Sequence, residues 1–226
     1  MEEILGLEDG DLFVLAQQGP DDRRLAGFPK LYSVERLNRA IEEAAEALDY
    51  TEESFLDTQM TSKLVVSEDG TRGLATITKT CQVLGGRDLE HIVEFIATPG
   101  RTDAPPRSVA VTGARETDTY AHPDGEMFGY RYELESPAPR GGYVHYGYTH
   151  DVPLRKKRHT VSFTGPLREV VMVLEFAPGT APAQVEEIEE DTEREISRRT
   201  ISLKGRRRIV ISRQNFGPGT LALVWE

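Results

Sequence analysis

At 226 residues, 38% of them apolar and 29% charged, the chain has the composition of a soluble globular protein and the length to bury a core. A net charge of -11 repels polyphosphate at long range, which argues against non-specific binding to nucleic acid or to an anionic membrane surface. No apolar run is long enough for a membrane span, the first residues lack a basic-then-apolar export pattern, and the single Cys81 excludes an internal disulfide, so the cytoplasm is the expected compartment.

The charge is unevenly placed: residues 1–60 hold 15 acidic against 5 basic side chains, and the remainder 23 against 22. Within 1–32 a short apolar cluster, Leu12 to Ala16, precedes the turn-forming Gly19-Pro20-Asp21-Asp22 and is too brief to class by periodicity. From Ser33, a candidate N-cap, Val34, Leu37, Ile41, Ala44 and Leu48 recur at steps of three and four, which predicts an amphipathic helix over 33–48. Its apolar stripe suits packing on the chain's own β-domain or, if left open, association into a homo-oligomer. A further helical turn is expected between Tyr50 and Met60, so residues 1–60 are assigned to an acidic helical segment and 61–226 to a β-domain.

Beyond residue 60 the composition turns β-branched. Segments 64–67 and 74–84 flank Asp69-Gly70, a hairpin signal because glycine accepts positive φ without penalty. Strands are then expected at 91–97 and 108–112, followed by 129–135 and 143–149, two tyrosine-rich segments joined by the loop 136–142 and read as neighbours in one sheet. The run from His159 to Phe176 holds the most apolar stretch, Val170-Val171-Met172-Val173-Leu174, which has no polar face and predicts an interior strand with neighbours on both flanks. Segments 183–188, 196–203, 206–212 and 220–225 complete the set, with a two-residue turn at Lys204-Gly205. About ten to twelve short strands at ten-residue spacing predict a mainly antiparallel β-sandwich preceded by a short helical segment.

Chemistry-bearing patterns are sparse. His145 and His150 stand five apart on one strand and must leave opposite faces, so they cannot share a metal ion, and no metal or cofactor site is expected. Cys81 reads as a small buried hydrophobe. No nucleophile elbow or phosphate loop is present, so no catalytic residue is assigned. Tyr130, Tyr132, Tyr143, Tyr146 and Tyr148 are the unusual concentration: each joins an apolar ring to a hydrogen-bonding tip, and such a set suits recognition of a ligand or packs as a cross-strand cluster. The basic runs Arg155, Lys156, Lys157, Arg158 and Arg206, Arg207, Arg208 are candidate contacts for phosphate, or for an interdomain or intersubunit surface, or solvated loops paired with the acidic residues 186–195 or with the acidic N-terminal region.

Residues 166–178, PLREVVMVLEFAP, followed by Arg208-Ile209-Val210-Ile211 and by Phe216-Gly217-Pro218-Gly219 running to Trp225, resemble the β-rich C-terminal region of actinobacterial helix-turn-helix regulators. The resemblance covers about residues 125–226 and implies a sensory or interaction module; it carries no functional residue across. The chain departs from such regulators in its N-terminal quarter, where the helix over 33–48 is acidic and unsuited to a major groove. The expectation is a non-enzymatic binding module for a protein partner or a small ligand. Its rivals are an enzyme whose site is assembled from dispersed His, Tyr and Glu residues, and a regulator touching nucleic acid through its basic loops.

Overall fold

The computed structural model describes residues 35–50, 55–84, 87–98, 101–154, 156–163, 166–190 and 195–226. The Leu12 cluster, Ser33, Val34, the side chain of Leu37 and Arg155 lie outside that set. The described chain is mainly β, with one short helix, α1 (Glu35–Ala47), before thirteen strands. These are β1 (Phe55–Val66), β2 (Arg72–Val83), β3 (Leu89–Ala97), β4 (Arg107–Thr112), β5 (Ala114–Ala121), β6 (Met127–Ala138), β7 (Tyr143–Pro153), β8 (Arg158–Phe163), β9 (Leu167–Phe176), β10 (Gln184–Glu190), β11 (Glu195–Ser202), β12 (Arg208–Phe216) and β13 (Gly219–Val224).

The strands form a six-stranded sheet in the order β12-β9-β1-β2-β7-β4, a four-stranded sheet β11-β10-β13-β8 and a three-stranded sheet β3-β6-β5. All pairs are antiparallel except β1 with β9. Paired residues share a face, so registers such as Leu64 with Leu174, Ile77 with Tyr148 and Cys81 with Val144 set one inner face across the six-stranded sheet. The two smaller sheets cover that face side by side. One core joins Leu64, Met172 and Leu174 to Val185, Leu221 and Leu223 of the four-stranded sheet and to Trp225 just after it; the other joins Cys81, Val83 and Tyr146 to Ile92, Phe128 and Tyr132 of the three-stranded sheet.

The expected interior strand is β9. It is hydrogen-bonded to β12 on one flank and β1 on the other, with Val170, Met172 and Leu174 fully buried on the inner face. Val173, on the opposite face, is buried between Lys63 and Val210, and the ion pair of Lys63 with Glu175 at 3.0 Å lies beside it.

One expectation about the residues before 61 is corrected. Residues 55–60 extend β1 instead of adding a helical turn, because Phe55 and Met60 find cross-strand partners in Val83 and Lys79. The helix itself closes where its apolar stripe ends, in a Schellman arrangement: Tyr50 N–H donates to Ala45 C=O and Asp49 N–H to Glu46 C=O, with Asp49 at a φ of 55°. Helix α1 packs on the outer face of the three-stranded sheet. Ala40, Ile41 and Ala45 join Met127, and a Cβ at Gly129 would sit 2.6 Å from Leu48 Cδ1, so glycine there lets the helix approach the sheet. The described part of the stripe, Ile41, Ala44 and Leu48, is thus buried within the chain.

A second correction concerns the tyrosine strands. β6 and β7 are not paired; β6 lies between β3 and β5, and β7 between β2 and β4. The chain changes sheet at Gly113, the one residue between β4 and β5, whose φ is 73° and where a Cβ would fall 2.5 Å from His145 O. Likewise Lys204-Gly205 carries the chain from the four-stranded to the six-stranded sheet and does not close a hairpin.

Candidate functional site

Because β6 and β7 belong to opposed sheets, their alternating tyrosines face each other. Tyr130 and Tyr132 from β6 meet Tyr146, Tyr148 and His150 from β7, all five buried. The Tyr132 and Tyr148 rings lie 5.2 Å apart and nearly parallel, and the His150 ring stands edge-on to Tyr130 at 4.4 Å. Four of the five candidate tyrosines are therefore assembled in one interior. Tyr143, also on β7 but of opposite parity, is 64% exposed on the outer face.

Two polar groups of residues occupy this interior. In the first, Glu94 of β3 accepts hydrogen bonds from the Tyr146 and Tyr148 hydroxyls and lies 2.7 Å from Lys79 Nζ. Lys79 also pairs with Asp57 at 3.0 Å, and Cys81 Sγ donates to Asp57 Oδ1 at 2.9 Å. Burial works against the Lys79 charge, yet Asp57 and Glu94 outweigh it and raise its pKa above the ordinary lysine range. Burial first, and Asp57 next, push the Cys81 thiol up, so it stays protonated and unreactive. Burial, reinforced by Glu94, likewise holds the Tyr146 and Tyr148 hydroxyls well above 10. The side-chain groups of this network all have partners, and it locks β2, β3 and β7 together.

The second group is only partly satisfied. Tyr132 OH and His150 Nε2 are 2.9 Å apart and Tyr130 OH donates to Pro106 O at 2.8 Å, but His150 Nδ1, Ser108 Oγ and Glu116 Oε2 are buried atoms with no hydrogen-bond partner. They belong to one neighbourhood. Ser108 on β4 is the cross-strand partner of His150, and Glu116 on β5 is the cross-strand partner of Tyr132. Both β4 and β5 are edge strands, and each is bulged directly after the residue concerned, between Ser108 and Ala110 and between Glu116 and Asp118. A bulge re-aims the side chains beside it. Burial alone lowers His150 to about 4, so its imidazole is neutral near pH 7. Burial, then Glu116, raises Tyr130 and Tyr132 above the ordinary phenol range, and both keep their protons.

The histidines do not converge. His145 is exposed on the outer face opposite His150, His159 is buried against Ser62 at 3.1 Å, His91 lies by Arg131, and His122 lies by Glu43 and Asp124. Among the described residues no three His, Cys, Asp or Glu side chains gather as a metal site needs.

Of the basic runs, Arg158 pairs with Glu190 at 3.0 Å, within the acidic strand β10. Lys156, Lys157, Arg206, Arg207 and Arg208 are otherwise placed: Arg158 is half-buried, while these five are exposed. Trp225 N–H donates to Lys157 O, Phe176 N–H donates to Arg207 O, and the Phe176 and Trp225 rings meet at 5.6 Å, so both basic loops rise from one end of the larger core.

Sequence reasoning missed Asp57, Lys79, Glu94, Ser108 and Glu116. A signal existed for two of them: Glu94 interrupts the apolar run Ile92-Val93-Glu94-Phe95-Ile96, and Lys79 has the parity of Ile77, Cys81 and Val83. A charged residue at a core position marks a buried network.

No family model matches the chain, and no curated protein matches it. Among solved structures, an M1 zinc metallopeptidase from Deinococcus radiodurans is similar at 11% identity and a TM-score of 0.43, over 76% of this chain and 42% of that one. A mutant of a two-domain M1 zinc metallopeptidase bound to L-tryptophan is similar at 10% identity and a TM-score of 0.44, over 76% of this chain and 43% of that one. The chain spans less than half the length of these enzymes. Likeness at this level assigns no chemistry.

Proposed function

We propose that the chain is a non-enzymatic recognition module of the cytoplasm that binds a small ligand between the edges of β4 and β5. The observation that carries this reading is that three buried atoms without a hydrogen-bond partner, His150 Nδ1, Ser108 Oγ and Glu116 Oε2, belong to residues set next to one another by strand register and by the Tyr132–His150 contact. Leaving a buried polar group unmatched costs about 1–3 kcal/mol, so three together are retained at an expense that a bound partner would recover. Apolar walls with a few convergent polar groups are the usual make-up of a small-molecule site. Ser108 and Glu116 are partly exposed, which leaves a route of entry.

The test is ligand-observed NMR of the full chain against a set of small polar molecules, repeated on Ser108→Val and Glu116→Leu. Compounds that compete with one another for wild type and lose binding in both variants support the reading. A set in which no binder responds to either substitution overturns it.

A second reading, contact with an acidic protein surface, is favoured by the shared position of the two basic loops. Reversing Lys156, Lys157, Arg206 and Arg207 to glutamate would abolish capture of an acidic partner; capture unchanged by the reversal would eliminate it.

A further inference from the structure

Resting on the small-ligand reading, we infer that the ligand is a small organic cation with N–H donors, an amine or amidine, seated on Glu116, Ser108 and His150. Charge balance is the first argument. Among the described residues, the interior between the three-stranded sheet and β2 and β7 holds three carboxyl groups, Asp57, Glu94 and Glu116, against one ammonium, Lys79, and Lys79 is already shared by Asp57 and Glu94. Glu116 has no Lys or Arg partner among the described residues; its Oε1 accepts only from Thr119 Oγ1, at 3.2 Å, and its Oε2 accepts from nothing. An anionic ligand would be repelled there, and a neutral one would leave the charge unmatched.

The donor and acceptor pattern points the same way. Glu116 Oε2 is an acceptor, and Ser108 Oγ can accept through a lone pair. A neutral imidazole carries one N–H, and either Tyr132 Oη or His150 Nε2, 2.9 Å apart, can be the donor between them; a ligand that brings N–H groups would select the tautomer with the proton on Nε2, in which Nδ1 is a third acceptor. Two side chains able to accept, with His150 Nδ1 as a third acceptor in that tautomer, suit a ligand that brings several donors, which an alkylammonium or an amidinium supplies. His150 cannot supply the missing charge itself, because burial keeps its imidazole neutral. The electron-rich faces of Tyr130 and Tyr132, stacked 6.4 Å apart, add a favourable environment for a cation.

The experiment is a titration of the uniformly nitrogen-15-labelled full chain with methylammonium chloride, and separately with potassium chloride, acetamide and sodium acetate, at constant ionic strength and near-neutral pH. The readouts are the His150 ring nitrogens and the Ser108 and Glu116 amides. Saturable shifts with methylammonium alone, weakened on the order of 10-fold or more in Glu116→Gln, are expected, as loss of a charge-assisted hydrogen bond implies. An unperturbed amide spectrum elsewhere certifies that Glu116→Gln is folded. Equal response to potassium, or methylammonium binding unchanged in Glu116→Gln, overturns the cation assignment. Saturation by acetamide or acetate instead overturns it while leaving the small-ligand reading in place. Silence from every probe, with the site residues assigned, removes both.

Discussion

Replacing Glu94 with Gln should expose how much of the fold depends on the buried Lys79 network. Glu94 faces three donors, the Tyr146 and Tyr148 hydroxyls and the Lys79 ammonium at 2.7 Å. The amide can still accept from a tyrosine, but its NH2 group must point at another donor, leaving Lys79 with Asp57 as its one carboxylate partner in the network. Removing one member of a buried ion pair costs about 3–5 kcal/mol, and Asp57 retains part of the compensation, so a loss of about 3 kcal/mol is expected. That is a large share of the 5–15 kcal/mol typical of a domain. Urea denaturation followed by the fluorescence of Trp225, the single tryptophan, measures it. Lys79→Met with Glu94→Leu should cost at least about 2 kcal/mol less than the sum of the two single changes, since each alone strands the other's charge. A Glu94→Gln variant within about 0.5 kcal/mol of wild type, or strictly additive costs, would refute the reasoning.

Three further outcomes are expected. His150 and His159 are each held by burial at about 4 against an ordinary 6.5, so the unfolded chain binds two protons that the native one refuses. Stability should be level above pH 6.5 and fall between there and pH 4 by about 1.4 kcal/mol per unit for each histidine, and His159→Asn should halve that slope; a flat profile across this window speaks against it. Ile41→Glu places a carboxylate between α1 and the three-stranded sheet and should lower stability by about 3 kcal/mol or more without changing the native mass by light scattering; a change of mass would show that the helix serves an interface between copies. Gly129→Val should cost about 1–3 kcal/mol through its clash with Leu48, and Leu48→Ala should recover much of the loss; a Gly129→Val variant as stable as wild type would mean that helix and sheet are not in close contact.

The strands were legible where the apolar pattern or the turn signal is clean. Val170 to Leu174 announces β9 because five apolar residues in succession suit only a strand with neighbours on both flanks, and Asp69-Gly70 announces the β1–β2 hairpin because Gly70 takes a φ of 67°. Parity also placed His145 and His150 on opposite faces. Sheet membership was not legible. The loop between β6 and β7 looks like a hairpin connection, whereas the decision to change sheets is made upstream at Gly113, where clearance from His145 O matters more than composition. β5 escaped notice because Arg115, Asp118 and Tyr120 lean outward around a bulge and leave no regular apolar face. The partly satisfied group was hidden for the same reason: Ser108 and Glu116 are ordinary in sequence and become unusual only when two edge strands from different sheets set them beside His150 and Tyr132.

A high-resolution crystal structure of the chain, refined without restraint on the side chains of β4, β5 and β7, tests the central claim most directly. The account predicts density for a ligand or ordered solvent within hydrogen-bonding distance of Ser108 Oγ, His150 Nδ1 and Glu116 Oε2 together. Direct hydrogen bonding of Ser108 to His150, with Glu116 turned out to bulk water, would contradict it.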